Sequence, residues 1–287
     1  MALSSVAVPL LFVVIWATGF VVARLVAPHV EPMTFLAMRF SGTAAVLVAI
    51  ALAMRAPWPR TRRDWVNAAG IGLLLQAAYL AGVFWSVKHG LPAGVTSLVV
   101  AMQPLLTALA AGPLLGEEVS TLRRIGIAVG FVGVSLVLAP KLGGADGYPL
   151  PALLAAILSL VTITFATIWQ KRAGSRVDMR TGTAIQFAAS AIVMTAIALA
   201  AETNAVDFTL DFWIGLLWSV FGLSIGGIFL LLLMIRRGAV VGVAAWLFLV
   251  PPVAALMSFA IFRETLTATQ IVGMAVATAG VAFASRG

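Results

Sequence analysis

Uninterrupted apolar stretches of about twenty residues recur along the whole chain, and they restrict its possible folds more than any other feature. A helix rises about 1.5 Å per residue and the hydrocarbon core of a bilayer is about 30 Å thick, so each stretch can cross a membrane. The ten stretches cover residues 4–26, 33–54, 65–87, 92–115, 121–139, 149–170, 180–201, 211–235, 239–262 and 267–285. The sequence therefore predicts an all-α membrane protein with ten transmembrane helices.

The composition also indicates that the bilayer is the main solvent of this chain. Of the 287 residues, 62% are hydrophobic and 10% are charged, whereas soluble domains carry about 25% charged residues. The first stretch is too long for the core of a signal peptide and lacks a cleavage site, so we interpret it as the first span. The absence of cysteine excludes disulfides and thiolate chemistry.

The distribution of lysine and arginine predicts the orientation, because cytoplasmic loops hold an excess of both. With both termini in the cytoplasm, thirteen of the 18 basic residues lie on the cytoplasmic side. They are Arg55, Arg60, Arg62, Arg63, Arg123, Arg124, Lys171, Arg172, Arg176, Arg180, Arg236, Arg237 and Arg286. The net charge of +8 is thus a sign of topology, and no nucleic-acid partner is expected.

The two halves of the chain repeat each other. A shift of 147 positions, applied to residues 104–134, matches a proline, a glutamate and two glycines without a gap. The pairs are Pro104 with Pro251, Glu117 with Glu264, Gly126 with Gly273, and Gly133 with Gly280. We predict one repeat in residues 1–140 and the other in residues 141–287. Because each half has five spans, an odd number, the repeats should be inverted relative to each other in the membrane.

The segments that carry this repeat resemble a known family. Residues 104–117 and 251–264 each run from a proline to a glutamate, and a Gly-x6-Gly helix follows each of them. They resemble the paired EamA domains of the drug/metabolite transporter superfamily, and Trp16 to Phe20 and Arg39-Phe40 fit the same pattern. Within that superfamily the chain is most similar to the YddG-type exporters of aromatic and other neutral amino acids. The resemblance implies a bacterial inner-membrane exporter.

Sequence signatures of enzymes are missing. The chain has no His-Glu-x-x-His helix, no Gly-x-Ser-x-Gly turn and no Gly-x4-Gly-Lys-Ser/Thr loop. We therefore expect no enzyme activity, cofactor or metal site, and no ATP-driven pumping by this chain alone. All ten acidic residues lie in connections or at span ends, whereas proton-driven transporters usually place an ionisable group near the midplane. This pattern favours facilitative transport.

Polar and aromatic side chains near the middle of the spans predict the substrate site, because aromatic walls with a few hydrogen-bonding groups suit a neutral, partly apolar solute. The candidates are Trp16, Thr18, Gln76, Tyr79, Met102, Gln103, Thr162, Thr164, Ser224, Trp246 and Phe248. In the alternative interpretation, the threonines bond to their own helices and the aromatic rings pack against neighbouring spans. We expect about half of these residues to line a cavity.

Three prolines are predicted to kink their spans. Pro104, Pro251 and Pro252 lie deep in spans four and nine, where each removes a backbone hydrogen bond. They could be hinges of a moving bundle or static bends.

Two kinds of charged residue have open roles. Arg39 lies inside span two and must face protein or water; pairing with helix-end carbonyls or Glu31 is favoured over binding a substrate carboxylate. Glu117 and Glu264, at equivalent span ends, are interpreted as structural groups in preference to proton carriers.

The sequence thus predicts a transporter that exports neutral amino acids by alternating access. Export of other small metabolites or drugs, such as purines or cationic drugs, remains open. A channel or a membrane receptor is a further alternative, although no selectivity-filter sequence and no soluble sensory segment is present. Because its Gly-x3-Gly pairs favour packing within the chain over dimer contacts, we predict a monomer.

Overall fold

The computed structural model describes residues 2–115, 120–139, 147–173, 177–227, 230 and 249–284. These residues form α-helices and no β-strand, apart from one isolated antiparallel bridge between Val30 and Val206. The α-helices are α1 Ala2–Val26, α2 Pro32–Ala53, α3 Arg62–Gly72, α4 Tyr79–Lys88, α5 Ala93–Val100, α6 Gln103–Leu115, α7 Thr121–Leu138, α8 Leu150–Ala173, α9 Met179–Ala201, α10 Leu210–Leu217, α11 Val250–Phe262 and α12 Ala268–Ala284. Two π-helical segments, π1 Leu73–Ala78 and π2 Trp218–Gly226, continue α3 and α10.

Helices occupy the described parts of all the predicted apolar stretches. Five are long and apolar enough to cross a membrane, namely residues 7–26, 32–53, 62–88, 150–173 and 179–201. Shorter apolar helices cover residues 93–107, 124–138, 210–226, 250–262 and 268–283. The predicted division between spans eight and nine, at residues 236–238, lies outside the described residues.

Several of these helices begin at residues that are typical of helix N-termini. Pro32 occupies the first turn of α2, where a missing N–H removes no helical hydrogen bond. The Thr61 hydroxyl accepts a hydrogen bond from Asp64 N at 3.1 Å and caps α3, and the Asp178 carboxylate accepts one from Arg180 N at 2.9 Å and caps α9.

The three prolines lie at the starts of helices and not in helix interiors. Span four is divided at Ala101 and Met102, and Pro104 is the second residue of α6. Pro251 and Pro252 lie in the first turn of α11, which begins at Val250. At these positions no backbone N–H is needed, so proline starts a helix without breaking one. A role for the three prolines as hinges stays a prediction.

Two antiparallel helix pairs join equivalent parts of the sequence repeat. The helices α2 and α9, spans two and seven, pack along much of their length, and so do α7 and α12, spans five and ten. In the second pair, Gly133 lies against Gly273 and Ala277, while Gly280 lies against Gly126 and Gly130. The two sets of contacts are related by the shift of 147 positions, under which Gly133 corresponds to Gly280, Gly126 to Gly273 and Gly130 to Ala277. The repeat seen in the sequence is therefore also present in this contact.

The connections gather at two ends of the helices, which differ in charge. The basic end comprises residues 54–63, 169–173 and 177–180, and next to it the Thr181 hydroxyl donates to Pro57 O at 2.9 Å. The acidic end comprises residues 27–34, 202–211 and 263–267, where Asp207 N donates to His29 O at 2.8 Å. Between them lies a buried aromatic layer, in which Phe35 stacks on Phe84 at 5.3 Å and meets Phe212 edge-on at 6.2 Å.

Candidate functional site

The two π-helical segments occupy equivalent positions in the two halves of the chain. A shift of 147 positions moves π1, residues 73–78, onto residues 220–225, which lie inside π2. A π-turn widens the helix and is frequent at functional sites, because it re-aims the side chains that follow it. No periodicity in the sequence indicates these segments, since their residues are ordinary for an apolar helix. They mark spans three and eight as the first elements of a candidate site.

The first π-segment places Tyr79 one turn after a residue that lines a cavity. The backbone N–H of Tyr79 donates to Leu74 O across the wide turn, so Tyr79 lies one turn beyond Leu74 along the helix. Leu74 lines a cavity of about 560 Å³ that extends to the basic end between α3 and α8. Tyr79 is buried and packs in the core with the aromatic layer. Span three thus connects the cavity with the middle of the bundle.

The cavity combines apolar, amide and cationic groups. Its lining includes Arg63, Asn67, Thr162, Phe165, Trp169 and Arg172. The indole Nε1 of Trp169 donates to Asn67 Oδ1 at 3.3 Å. Gly70 makes this approach possible, because a Cβ there would lie 2.5 Å from the Trp169 ring. The volume falls in the usual range for small-molecule sites, about 300–1,000 Å³.

Trp16 and Thr18 point to different sides of α1. Trp16 shares a helical face with Phe12 and Phe20, which are 2% and 3% exposed, yet Trp16 itself is 36% exposed. It therefore marks an opening in an otherwise buried face. Thr18 instead accepts a hydrogen bond from Trp218 Nε1 at 2.8 Å and donates to Ile15 O, so it links α1 to π2.

Met102 and Gln103 have different surroundings, although they are adjacent. Met102 is 2% exposed, and its terminal methyl packs against Gly130 of α7. Its expected place in the substrate site does not agree with this packing, which turns the side chain toward α7. The Gln103 amide, which is half-buried, donates to Thr107 Oγ1 at 3.3 Å and to Thr167 Oγ1 at 3.2 Å, joining α6 to α8.

The threonines of α8 follow the alternative interpretation in part. Thr164 is buried and its hydroxyl donates to Leu160 O at 2.7 Å, one turn earlier in its own helix. Thr162 donates to Ser159 O at 2.9 Å and also lines the cavity. Gln76 lies half-buried within π1, and the Ser224 hydroxyl donates to Ser219 O within π2 at 2.9 Å. Trp246 and Phe248 lie outside the described residues.

At the acidic end, two glutamates accept hydrogen bonds from each other's neighbouring residues, and Glu202 caps the first turn of α2. Glu31 Oε2 accepts hydrogen bonds from the backbone N and the hydroxyl of Thr203, both at 2.7 Å. Glu202 accepts from Met33 N at 2.8 Å, Thr34 N at 2.7 Å and the Thr34 hydroxyl at 2.8 Å. The hydrogen bonds from Thr203 lower the pKa of Glu31. Because Glu202 follows α9 and Thr34 lies in α2, this exchange fastens two spans together, which the sequence did not indicate.

A third acidic residue connects α1 with the end of α11. Glu264 Oε1 lies 3.3 Å from Arg24 Nε, while its Oε2 is buried without a hydrogen-bond partner. Burial raises the pKa of Glu264, and the nearby Arg24 guanidinium opposes that shift. The contact with Arg24 agrees with a structural role for this glutamate. Glu117 lies outside the described residues.

Comparison with known proteins relates both halves of the chain to one family model. The model of the EamA-like transporter family matches residues 3–139 and again residues 150–286. The chain is 27% identical to the uncharacterized transporter YvbV of Bacillus subtilis, over 91% of this chain and 85% of that protein. It is 27% identical to the uncharacterized inner membrane transporter YedA of Escherichia coli, over 96% and 88% of the two chains. It is 29% identical to a probable terminal-alkyne amino-acid exporter of Streptantibioticus cattleyicolor, over 96% and 91%.

Proposed function

Because the chain belongs to the EamA-like transporter family, we propose that it exports neutral amino acids, aromatic ones included, by secondary or facilitative transport across the bacterial inner membrane. It is a multi-pass membrane transporter and its relatives are transporters, not enzymes. The name of one relative, a probable terminal-alkyne amino-acid exporter, supports the proposed class of substrate.

The cavity at the basic end is the observation that carries this proposal. Phe165 and Trp169 can contact an apolar or aromatic side chain, while Asn67 and Thr162 can hydrogen-bond to the polar groups that all amino acids share. Such contacts select a neutral amino acid without selecting a single side chain. Arg63 and Arg172 place positive charge at the same cavity, which disfavours a cationic drug as the substrate.

We propose that the bundle has ten transmembrane helices in two inverted repeats, residues 1–140 and 141–287. The antiparallel packing of α7 on α12, with contacts that repeat after 147 positions, supports this arrangement. Two equivalent halves can expose one central site alternately to either side of the membrane. In this proposal the chain acts as a monomer, Gln76, Tyr79 and Trp16 belong to the central site, and the prolines at the starts of α6 and α11 are its hinges.

Reconstituted protein is expected to move neutral amino acids across liposome membranes. We expect saturable uptake and counterflow of phenylalanine, methionine and threonine, because the cavity offers apolar contact and shared hydrogen-bonding groups. Purines, nucleosides and cationic drugs should not compete. The measurement is uptake of radiolabelled solute into proteoliposomes.

The same assay can test the site residues with a matched pair of tryptophan variants. Trp16→Ala should lower uptake of all three amino acids by about tenfold, the loss expected for part of a buried aromatic contact. Trp58→Ala removes a ring that stacks on Trp65 at 5.9 Å and does not line the cavity, so it should leave uptake unchanged. Transport of nucleosides or cationic drugs without any of the amino acids would show that the substrate assignment is wrong.

The orientation has its own test. Reporter fusions after Gly287 should be active only for a cytoplasmic reporter, because the positively charged connections favour both termini inside. Fusions placed in the connection after α1, near Pro28, serve as the opposite control and should report the periplasm. A periplasmic C-terminus would contradict the ten-span inverted arrangement.

A further inference from the structure

Arg39 is a buried cation without a counter-ion in the described part of the chain. Arg39 belongs to α2 and is 6% exposed, and its Nε is buried with no hydrogen-bond partner among the described residues. No ion pair of the described residues includes it. A charged residue inside a membrane span is costly to bury, and one that faces the bundle interior commonly marks a substrate or ion pathway. Arg39 therefore needs an anionic or strongly polar partner.

Three glutamates at the acidic end are bound to groups other than Arg39. Glu31, the pairing favoured by the sequence, accepts both of its short hydrogen bonds from Thr203. Glu202 caps the first turn of α2 through Met33 and Thr34. Glu264 lies beside Arg24. Each of these three carboxylates therefore binds a group other than Arg39, and the predicted pair of Arg39 with Glu31 is not formed.

Further buried polar groups lie on α2 and on the segments that pack against it. Thr43, one turn along the same face of α2, is 0% exposed, and no group in the described part of the chain hydrogen-bonds to its hydroxyl. Tyr79 is close enough to interact electrostatically with the guanidinium. The segment π2 packs on the same helix through Val220 and Gly42, and the hydroxyl of the adjacent Ser219 is also buried without a partner. Buried donors without acceptors are rare in folded proteins and call for a ligand or water.

The position of this group suits a transported solute. Thr43 is the twelfth of the 22 residues of α2, so it lies at mid-height, with Arg39 one turn nearer the acidic end. One turn beyond Arg39, Phe35 packs with Phe84 and Phe212 and closes that end. On the other side, Tyr79 stands one π-turn above Leu74, which lines the cavity of the basic end. Through Leu74 and Tyr79, span three joins the lining of that cavity to the polar group at Arg39.

We propose that Arg39 and Thr43 bind the carboxylate of the transported solute. A carboxylate supplies several acceptor lone pairs, enough for a guanidinium and a hydroxyl together, and its charge compensates the buried cation. This inference rests on the proposed export of amino acids and adds to it the group that recognises their shared carboxylate.

The test compares phenylalanine with phenylalaninamide, which has the same side chain and amino group but no carboxylate. Binding of both to the purified full-length protein is measured by calorimetry. The wild type should prefer phenylalanine by about tenfold or more, the value of a charge-assisted hydrogen bond. In Arg39→Gln the preference should fall to about one, and Arg39→Lys should keep part of it.

Thr43→Val keeps the test decisive if Arg39 variants do not fold, because it preserves volume and removes only an unpartnered hydroxyl. It should lower the preference by about threefold or more. The matched control is Thr96→Val. Thr96 is also fully buried, but its hydroxyl donates to Pro92 O, so this variant should prefer phenylalanine as strongly as the wild type does. Equal binding of the two ligands by the wild type, or an unchanged preference in Thr43→Val, overturns the carboxylate site and leaves amino-acid export standing. Binding of neither ligand refutes the proposed function and this inference with it.

Discussion

Replacing Gly133 with alanine is expected to prevent α7 and α12 from packing and to lower the yield of folded protein sharply. A Cβ at Gly133 would lie 2.2 Å from Ala277 N and 2.7 Å from Gly273 O. Both are backbone atoms, so no rotamer change can relieve the overlap and the helices must move apart. Close approach through small residues is a main source of helix association in membranes. We expect a loss of about 3 kcal/mol, at the upper end for overpacking.

The matched control is Gly19→Ala. There the added Cβ would meet only the side chain of Leu223 at 3.7 Å, an ordinary contact, and alanine favours a helix over glycine by about 1 kcal/mol. Thermal unfolding of both variants in detergent, followed by size-exclusion chromatography, compares them directly. Gly280→Ala should behave like Gly133→Ala, because its Cβ would lie 2.3 Å from Gly130 N. If Gly133→Ala is as stable as Gly19→Ala, α7 and α12 do not pack closely at Gly133.

Replacing Glu202 with alanine should destabilise the protein by about 3 kcal/mol, because three hydrogen bonds to a charged group are lost together. Two of the donors are the backbone N–H groups of Met33 and Thr34 in the first turn of α2. These groups have no acceptor within the helix, and Glu31, at the start of α2, makes no side-chain cap. The change therefore weakens both the helix and its attachment to α9.

Glu202→Gln retains one acceptor oxygen without the charge and should give an intermediate loss. Asp207→Ala serves as the comparison, since its carboxylate at the same end is largely exposed and reaches only His29 at 3.3 Å. Such a surface pair contributes at most about 1 kcal/mol. Chemical or thermal unfolding in the same detergent ranks the three variants. Equal stability of Glu202→Ala and Asp207→Ala would mean that the hydrogen bonds of Glu202 do not hold α2 to α9.

The glutamates at the acidic end illustrate a limit of sequence reasoning about charge. Counting charges predicted which connections share a side of the membrane, and the contacts of residues 27–34 with residues 202–211 agree that these two connections lie together. The count could not indicate that Glu202 caps α2 or that Glu31 binds Thr203. That exchange depends on two connections that are about 170 residues apart in sequence and adjacent only in space.

In the candidate site, the sequence indicated how deep a side chain lies in its span but not in which direction it points. Counting residues along the spans predicted that Trp16, Gln76, Tyr79 and Thr162 lie near mid-depth, and of these Thr162 lines the cavity. It could not show that Met102 turns to Gly130 or that Thr18 binds Trp218. The strongest additional group, Arg39 with Thr43, had a signal in the sequence as an arginine within an apolar stretch. What the sequence lacked was the knowledge that the nearby acids are engaged elsewhere.

The sequence by itself determined the number and limits of the apolar stretches, the repeat at 147 positions and the family. These properties are local or additive: twenty apolar residues must be helical in lipid, since their backbone groups have no other partner. Only the tertiary structure decided which face of each helix turns inward, where the π-turns fall and which polar groups remain unpaired. In a bilayer, lipid and neighbouring helices are almost equally apolar, so hydrophobicity does not fix the rotation of a helix. Close packing and hydrogen bonds between distant segments do.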